Sequence, residues 1–159
     1  MKTHEFSIIA SGPDHTADDF EGRFYDNGCD DATVSFQKGN IILDFARDAS
    51  TLEDAIISAI ADVRKAGARV ERVEPDPLVS LSDIAARAGL SRAAVSLYAS
   101  GQRGEGFPPP YARVTTNAPL WRWSVVAKWM AMKNQLPEAM AADAATIQTV
   151  NARLEMETV

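Results

Sequence analysis

The residues best suited to surface chemistry lie between Ser80 and Tyr98. Ser80 and Asp83 have the spacing of a capping box, so a short helix starts there. Ile84 and Ala88 fall on its inner face, and Ala85 is small where a second helix would cross. Gly89 stands where the chain must leave that helix, at a position suited to positive φ. Leu90 plugs the turn, and Ser91 caps a second helix. Val95 and Tyr98 turn inward, which leaves Ser91, Arg92, Ala93, Ser96 and Leu97 facing out. A helix N-terminus rich in small hydrogen-bonding groups enters a DNA major groove without obstruction and favours a nearby phosphate. Arg92 is able to fork onto a guanine edge or reach a phosphate, and Ala93 is able to touch a thymine methyl. The expected partner is double-stranded DNA.

The stretch from Leu81 to Ser96 resembles the helix-turn-helix of the lac repressor family. That pattern runs Leu, any, Asp, Ile or Val, Ala, two of any kind, Ala, Gly, Val or Leu, Ser, two of any kind, Thr, Val, Ser. Only Ala94 departs from it, in place of threonine. The resemblance covers about 20 residues and implies that Ser91, Arg92, Ala93, Ser96 and Leu97 meet DNA. The chain beyond Tyr98 lacks the hinge helix and sugar-binding domain of that family, so regulation by a sugar is not implied. Phe107 to Met132 resembles instead the tail of phage excisionase and related winged helix-turn-helix proteins. That likeness implies a hairpin wing over Ala112–Trp123, with its tip at Thr116-Asn117-Ala118, and a closing helix over Ser124–Met132. Arg113 and Arg122 suit phosphate contact from such a wing, or else stand as solvated charges. Arg103 is a further DNA-contact candidate in the glycine-rich loop Gly101–Gly106. That loop has neither the Walker nor the Rossmann spacing and reads as plain and flexible. Trp123 and Trp129 are expected in the core, with Trp121 facing the other way.

Charge supports the same segment. The whole chain of 159 residues carries a formal −6. Residues 78–136 hold 7 Lys and Arg against 2 Asp and Glu, a net +5. The preceding residues 1–77 hold 8 against 16, a net −8, and residues 137–159 hold 1 against 4, a net −3. A local positive field steers a polyanion whatever the total.

The elements ahead of this segment alternate in type. His4–Ser11 reads as a strand ending at Gly12-Pro13. Thr16, with Asp19 three residues on, reads as the start of a helix that runs to Asn27-Gly28. Thr33–Phe36 and Ile41–Phe45 flank Lys38-Gly39-Asn40 as a hairpin. Ser50 is expected to cap a helix over Thr51–Ala66, whose Leu52, Ala55, Ile56, Ala59, Ile60 and Val63 share one face. Arg69–Val73 alternates as a half-exposed strand. The order β-α-β-β-α-β is that of a ferredoxin-like, or split βαβ, domain. Two prolines in Glu74-Pro75-Asp76-Pro77 place a stiff linker there. The expected class is therefore α+β. A ferredoxin-like domain over 1–76 is followed by a winged helix-turn-helix domain over 78–136 and a C-terminal helix over 137–159. Met140, Ile147, Val150 and Leu154 form a narrow apolar stripe on that helix.

Catalysis has little support. His4, His15 and the single cysteine, Cys29, lack metal-ligand spacing, and one cysteine excludes an internal disulfide. Asp18-Asp19 and Asp30-Asp31 read as a helix start and a loop. No metal or cofactor is expected, no enzyme activity, and no membrane segment; the expected location is the cytoplasm. The functional expectation is a small bacterial or phage-type transcriptional regulator, such as a repressor. The alternative is an antitoxin or adaptor whose acidic N-terminal domain binds a protein partner while the helix-turn-helix autoregulates its operon. One recognition helix reads only a few base pairs, so a homodimer is expected. Its interface would be the apolar stripe of the C-terminal helix at Met140–Leu154 or the open face of the sheet, with the stripe preferred.

Overall fold

The computed structural model describes residues 1–75 and 77–157. Asp76 of the expected linker lies outside the described residues, as do Thr158 and Val159. The chain divides into two compact units, one of Met1–Pro75 with Thr149–Val159 and one of Asp76–Gln148. The terminal helix α6, Glu138–Glu157, contributes to both.

The first unit is a four-stranded antiparallel sheet with two helices between its strands. The elements are β1 (Lys2–Ser11), α1 (Phe20–Tyr25), β2 (Ala32–Gln37), β3 (Asn40–Ala49), α2 (Leu52–Lys65) and β4 (Arg69–Glu74). The strands lie in the order β2-β3-β1-β4. Strand alternation sends Phe6, Ile8, Ala10, Val34, Ile41, Leu43, Phe45 and Val73 into one buried face. The apolar face of α2 (Leu52, Ala55, Ile56, Ala59, Ile60, Val63) is buried as well, and α2 packs on β1, β3 and β4. The β2–β3 turn is tight because Lys38 and Gly39 both take positive φ, at 53° and 80°, as a two-residue hairpin of primed type demands.

Several boundaries differ from expectation for identifiable reasons. Thr16 does not cap α1. Its amide and hydroxyl both donate to the Asp14 carboxylate, at 2.9 and 2.7 Å, and these bonds hold that carboxyl below its ordinary pKa. The helix therefore starts later, at Phe20, behind Asp19. Strand β3 runs four residues beyond Phe45, so the cap of α2 moves from Ser50 to Thr51, whose hydroxyl accepts from the Asp54 amide.

The extension of β3 also places Arg47 on the buried face. Its guanidinium donates to Asp31 at 2.8 and 3.0 Å, to Asp62 at 3.0 Å, to the Gly28 carbonyl at 2.6 Å and to Ser58 at 3.1 Å. A buried cation is tolerable only with such partners. Hydrogen bonding to Asp31 leads the causes that raise its pKa. Neighbouring Cys29 is fully buried, and burial pushes its thiol up to about 11.

The stripe on α6 is not free to cross to a neighbour. Ile147, Val150 and Leu154 are buried, and only Met140 stays exposed. Val150 and Leu154 line a cavity of about 290 Å³ together with Ile57, Ile60 and Ala61 of α2. The expected dimer interface on this stripe is thereby overturned, since its apolar residues are already covered within the chain. Asn151 is buried beside them. Its side-chain oxygen accepts from the Val73 amide at 2.8 Å, and its side-chain nitrogen donates to the Val73 carbonyl at 2.9 Å. The helix thus occupies the outer edge of β4 with one amide group.

Candidate nucleic-acid interface

The second unit begins with β5 (Leu78–Val79) and two short helices, α3 (Leu81–Ala88) and α4 (Arg92–Ala99). The Ser80 and Asp83 side chains cap one another's amides, at 3.2 and 3.0 Å, and so fix the start of α3. Gly89 ends it at φ 68°, ψ 29°, and the Leu90 amide returns to the Ala85 carbonyl at 3.0 Å. The Ser91 hydroxyl accepts from the Ala94 amide at 3.1 Å, which starts α4 only a few residues past the end of α3.

This two-helix element rests on its own core. Ile84, Ala85 and Val95 meet Val79, Trp121, Trp123, Val126, Trp129 and Met130, with Leu90 and Tyr98 packed against them. The Trp residues come from β6 (Trp121–Arg122) and α5 (Trp123–Met132). All three are buried, Trp121 included. The expected strand alternation between Trp121 and Trp123 does not hold, because the chain turns helical at Trp123. The Trp121 indole instead donates to the Pro108 carbonyl at 2.9 Å and packs on Phe107.

The eight expected site residues fall into three groups. At the start of α4, the cap residue Ser91 is exposed together with Arg92 and Ala93, while Ser96 and Leu97, expected to face out, are half-buried. Arg103 is exposed in the loop after α4, with its guanidinium 6.0 Å from the Tyr98 ring. That loop is held in place: the amides of Gln102 and Arg103 both donate to the Leu97 carbonyl, and the Trp129 indole donates to the Glu105 carbonyl at 3.0 Å. Gly104 lies against Tyr98 and Trp129 at φ 71°, a left-handed conformation that favours glycine.

The third group, Arg113 and Arg122, lies on the segment expected to be a hairpin. Its ladder amounts to a single bridge between Ala112 and Leu120. Arg113 takes a left-handed φ of 56°, and Pro119 has no amide to donate, so the strands stop there. Past the bridge, Trp121 and Arg122 pair with Val79 and Leu78. The tip is instead closed by Thr116, whose amide and hydroxyl donate to the Arg113 carbonyl at 3.1 and 2.8 Å. Arg113 is exposed; Arg122 is half-buried, 3.9 Å above the exposed ring of Tyr111. A guanidinium stacked in this way keeps its charge and outward donors while losing freedom.

Lys128 and Lys133, both exposed on or just after α5, add to the positive charge of this unit, although no motif marks them. Composition alone signals them, as two of the seven cations in residues 78–136. Among the described residues no group of three or more His, Cys, Asp or Glu is placed to hold a metal ion, and no helix is long and apolar enough to cross a membrane. No protein-family model, curated protein or solved structure matches this chain.

Proposed function

We propose that the chain is a sequence-specific double-stranded DNA-binding regulator that reads base edges with the start of α4. In this reading α3 and α4 are a helix-turn-helix, the Ala112–Leu120 segment is a reduced wing, and the first unit, with strand order β4-β1-β3-β2, is a ferredoxin-like domain that mediates homodimerisation. The observation that carries it is the exposed trio Ser91, Arg92 and Ala93. It stands at a helix start fixed from behind by the Gly89 turn and a buried core, in the segment of net +5. A rigid helix end bearing one guanidinium, one hydroxyl and one methyl group matches the donors and apolar contacts of a major groove.

Selection of bound sites from a randomised duplex pool tests this. The expected outcome is a recurring short sequence. Arg92→Ala should then weaken binding to it by about 1–3 kcal/mol and relax the preference at one base pair. Recovery of no preferred sequence by the folded protein would overturn the reading. The alternative of an adaptor with a protein partner draws on one feature, the acidic side chains Glu5, Asp44, Asp48 and Glu74 on the sheet face away from α2.

A further inference from the structure

The two edges of the sheet are treated differently. At β4 the outward N–H and C=O of Val73 are both taken up by the side chain of Asn151. At β2 the outward amide of Ala32 donates to the Cys29 carbonyl at 3.1 Å, but no side chain takes up the outward groups of Val34 and Phe36 among the described residues. The Asp31 carbonyl accepts from the Ala46 amide at 3.1 Å, which fixes the alternation: odd-numbered residues turn their backbone groups toward β3. Val34 and Phe36 therefore direct theirs outward, and β2 is the last strand of the sheet, with no strand beyond it among the described residues. Open edges are usually blunted by a lysine, a proline or a bulge within the strand. Ala32-Thr33-Val34-Ser35-Phe36-Gln37 contains none of these and no charge at all.

We infer that the outer edge of β2 is the site at which two copies of this chain pair, antiparallel about a two-fold axis through Val34, to form one continuous eight-stranded sheet. This rests on the homodimeric part of the proposed function and not on its DNA part. A second copy is the occupant because the strand and its flanks are complementary to themselves. Pairing must keep the pleat, so even-numbered residues face even-numbered ones. With Val34 opposite Val34, Thr33 meets Ser35 and Ala32 meets Phe36, which is 40% exposed in the single chain. The same register brings Lys38, in the turn just past one end of the strand, to the same end of the seam as Asp30, just before the other, twice by symmetry. Elsewhere two copies would bring like charges together: the open face of the sheet presents Glu5, Asp44, Asp48 and Glu74 against Arg72, which is itself paired with Glu74 at 3.2 Å.

The mass of the full chain in solution, by light scattering across a concentration series, tests the register. Thr33, Ser35, Asp30 and Lys38 are all exposed, so their substitution leaves the core intact. The parent should be a dimer. Thr33→Lys with Ser35→Lys gathers four cations at the seam and should give the monomer, whereas Thr33→Lys with Ser35→Glu sets opposite charges face to face and should keep the dimer. Lys38→Glu should weaken association about tenfold through its two symmetric contacts, and adding Asp30→Lys should restore it. Thermal melting of each variant shows that the fold is kept, and rescue by the paired exchange is a result that misfolding does not produce. A monomeric parent, or a dimer indifferent both to Thr33→Lys with Ser35→Lys and to Lys38→Glu, overturns the inference. Because the readout is mass, either result leaves the DNA reading of α4 to stand or fall by its own site selection.

Discussion

Arg47 and Cys29 show how single residues set the behaviour of the first unit. Arg47 is the hub at which the α1–β2 loop, β3 and α2 are tied, through Asp31, Gly28, Ser58 and Asp62. Arg47→Ala should destabilise the protein by about 2–4 kcal/mol in urea unfolding. That is somewhat below the cost of breaking a wholly buried pair, because Asp31 and Asp62 keep some contact with solvent. Cys29 supplies a pH dependence. Its thiol titrates near 11 in the folded chain against an ordinary 9.0, so between those values the native state holds a proton that the unfolded state has lost. Stability from this group is complete below pH 9 and falls as pH rises toward 11. Cys29→Ala should flatten that part of the melting-temperature profile; a profile unchanged by the substitution would refute the assignment.

At the level of elements, the two arginines of the Ala112–Trp123 segment have different settings, and under the proposed DNA reading they should depend differently on Tyr111. Arg113 stands on a left-handed turn, while Arg122 is stacked on Tyr111. If both reach phosphates, each alanine substitution should lower the slope of log affinity against log salt by about one unit, on specific and random DNA alike. Tyr111→Ala should reproduce part of the loss seen with Arg122→Ala and none of that with Arg113→Ala. Gel-shift titrations over a range of salt check this, and equal sensitivity of both arginines to Tyr111→Ala would contradict it. The helical elements here are legible in the sequence where side chain and backbone cooperate locally. Ser80 with Asp83, Gly89 and Ser91 all carry the roles their spacing implies. The β2–β3 turn is equally readable from Lys38-Gly39. Elements decided by distant partners are not. The Ala112–Leu120 ladder stops on its tip side at Arg113 and Pro119, and on its other side Trp121 and Arg122 pair with Val79 and Leu78, a choice no local pattern announces. Arg47 is hidden for a related reason, since its inward position follows only from the true length of β3.

The whole molecule is divided by contacts rather than by the sequence-level landmarks of the linker and Pro137. The second unit extends to Gln148, and Ala144 of α6 is part of its core, with Ala141 packed beside it. A fragment ending at Leu136 would leave that surface bare. The fragment covering residues 76–148 should therefore melt higher than the fragment covering 78–136, by an amount set by the apolar area the added residues bury, roughly 25 cal/mol for each Å². If the DNA reading holds, the longer fragment should also bind duplex DNA, more weakly than the full chain because it lacks the first unit. Calorimetry and a low-salt gel shift on both fragments check the two halves of this expectation.

Asn151 gives the Val73 amide an unusual timetable. Most amides of a sheet exchange their protons with solvent only when strands separate, yet this one is shielded by a single side chain from a helix 78 residues away in sequence. Its exchange rate is a clock for one event, the departure of the end of α6 from β4. Deuterium uptake at Val73 should therefore quicken on Asn151→Ala while Ile8 and Leu43, deep in the sheet, keep their slow exchange.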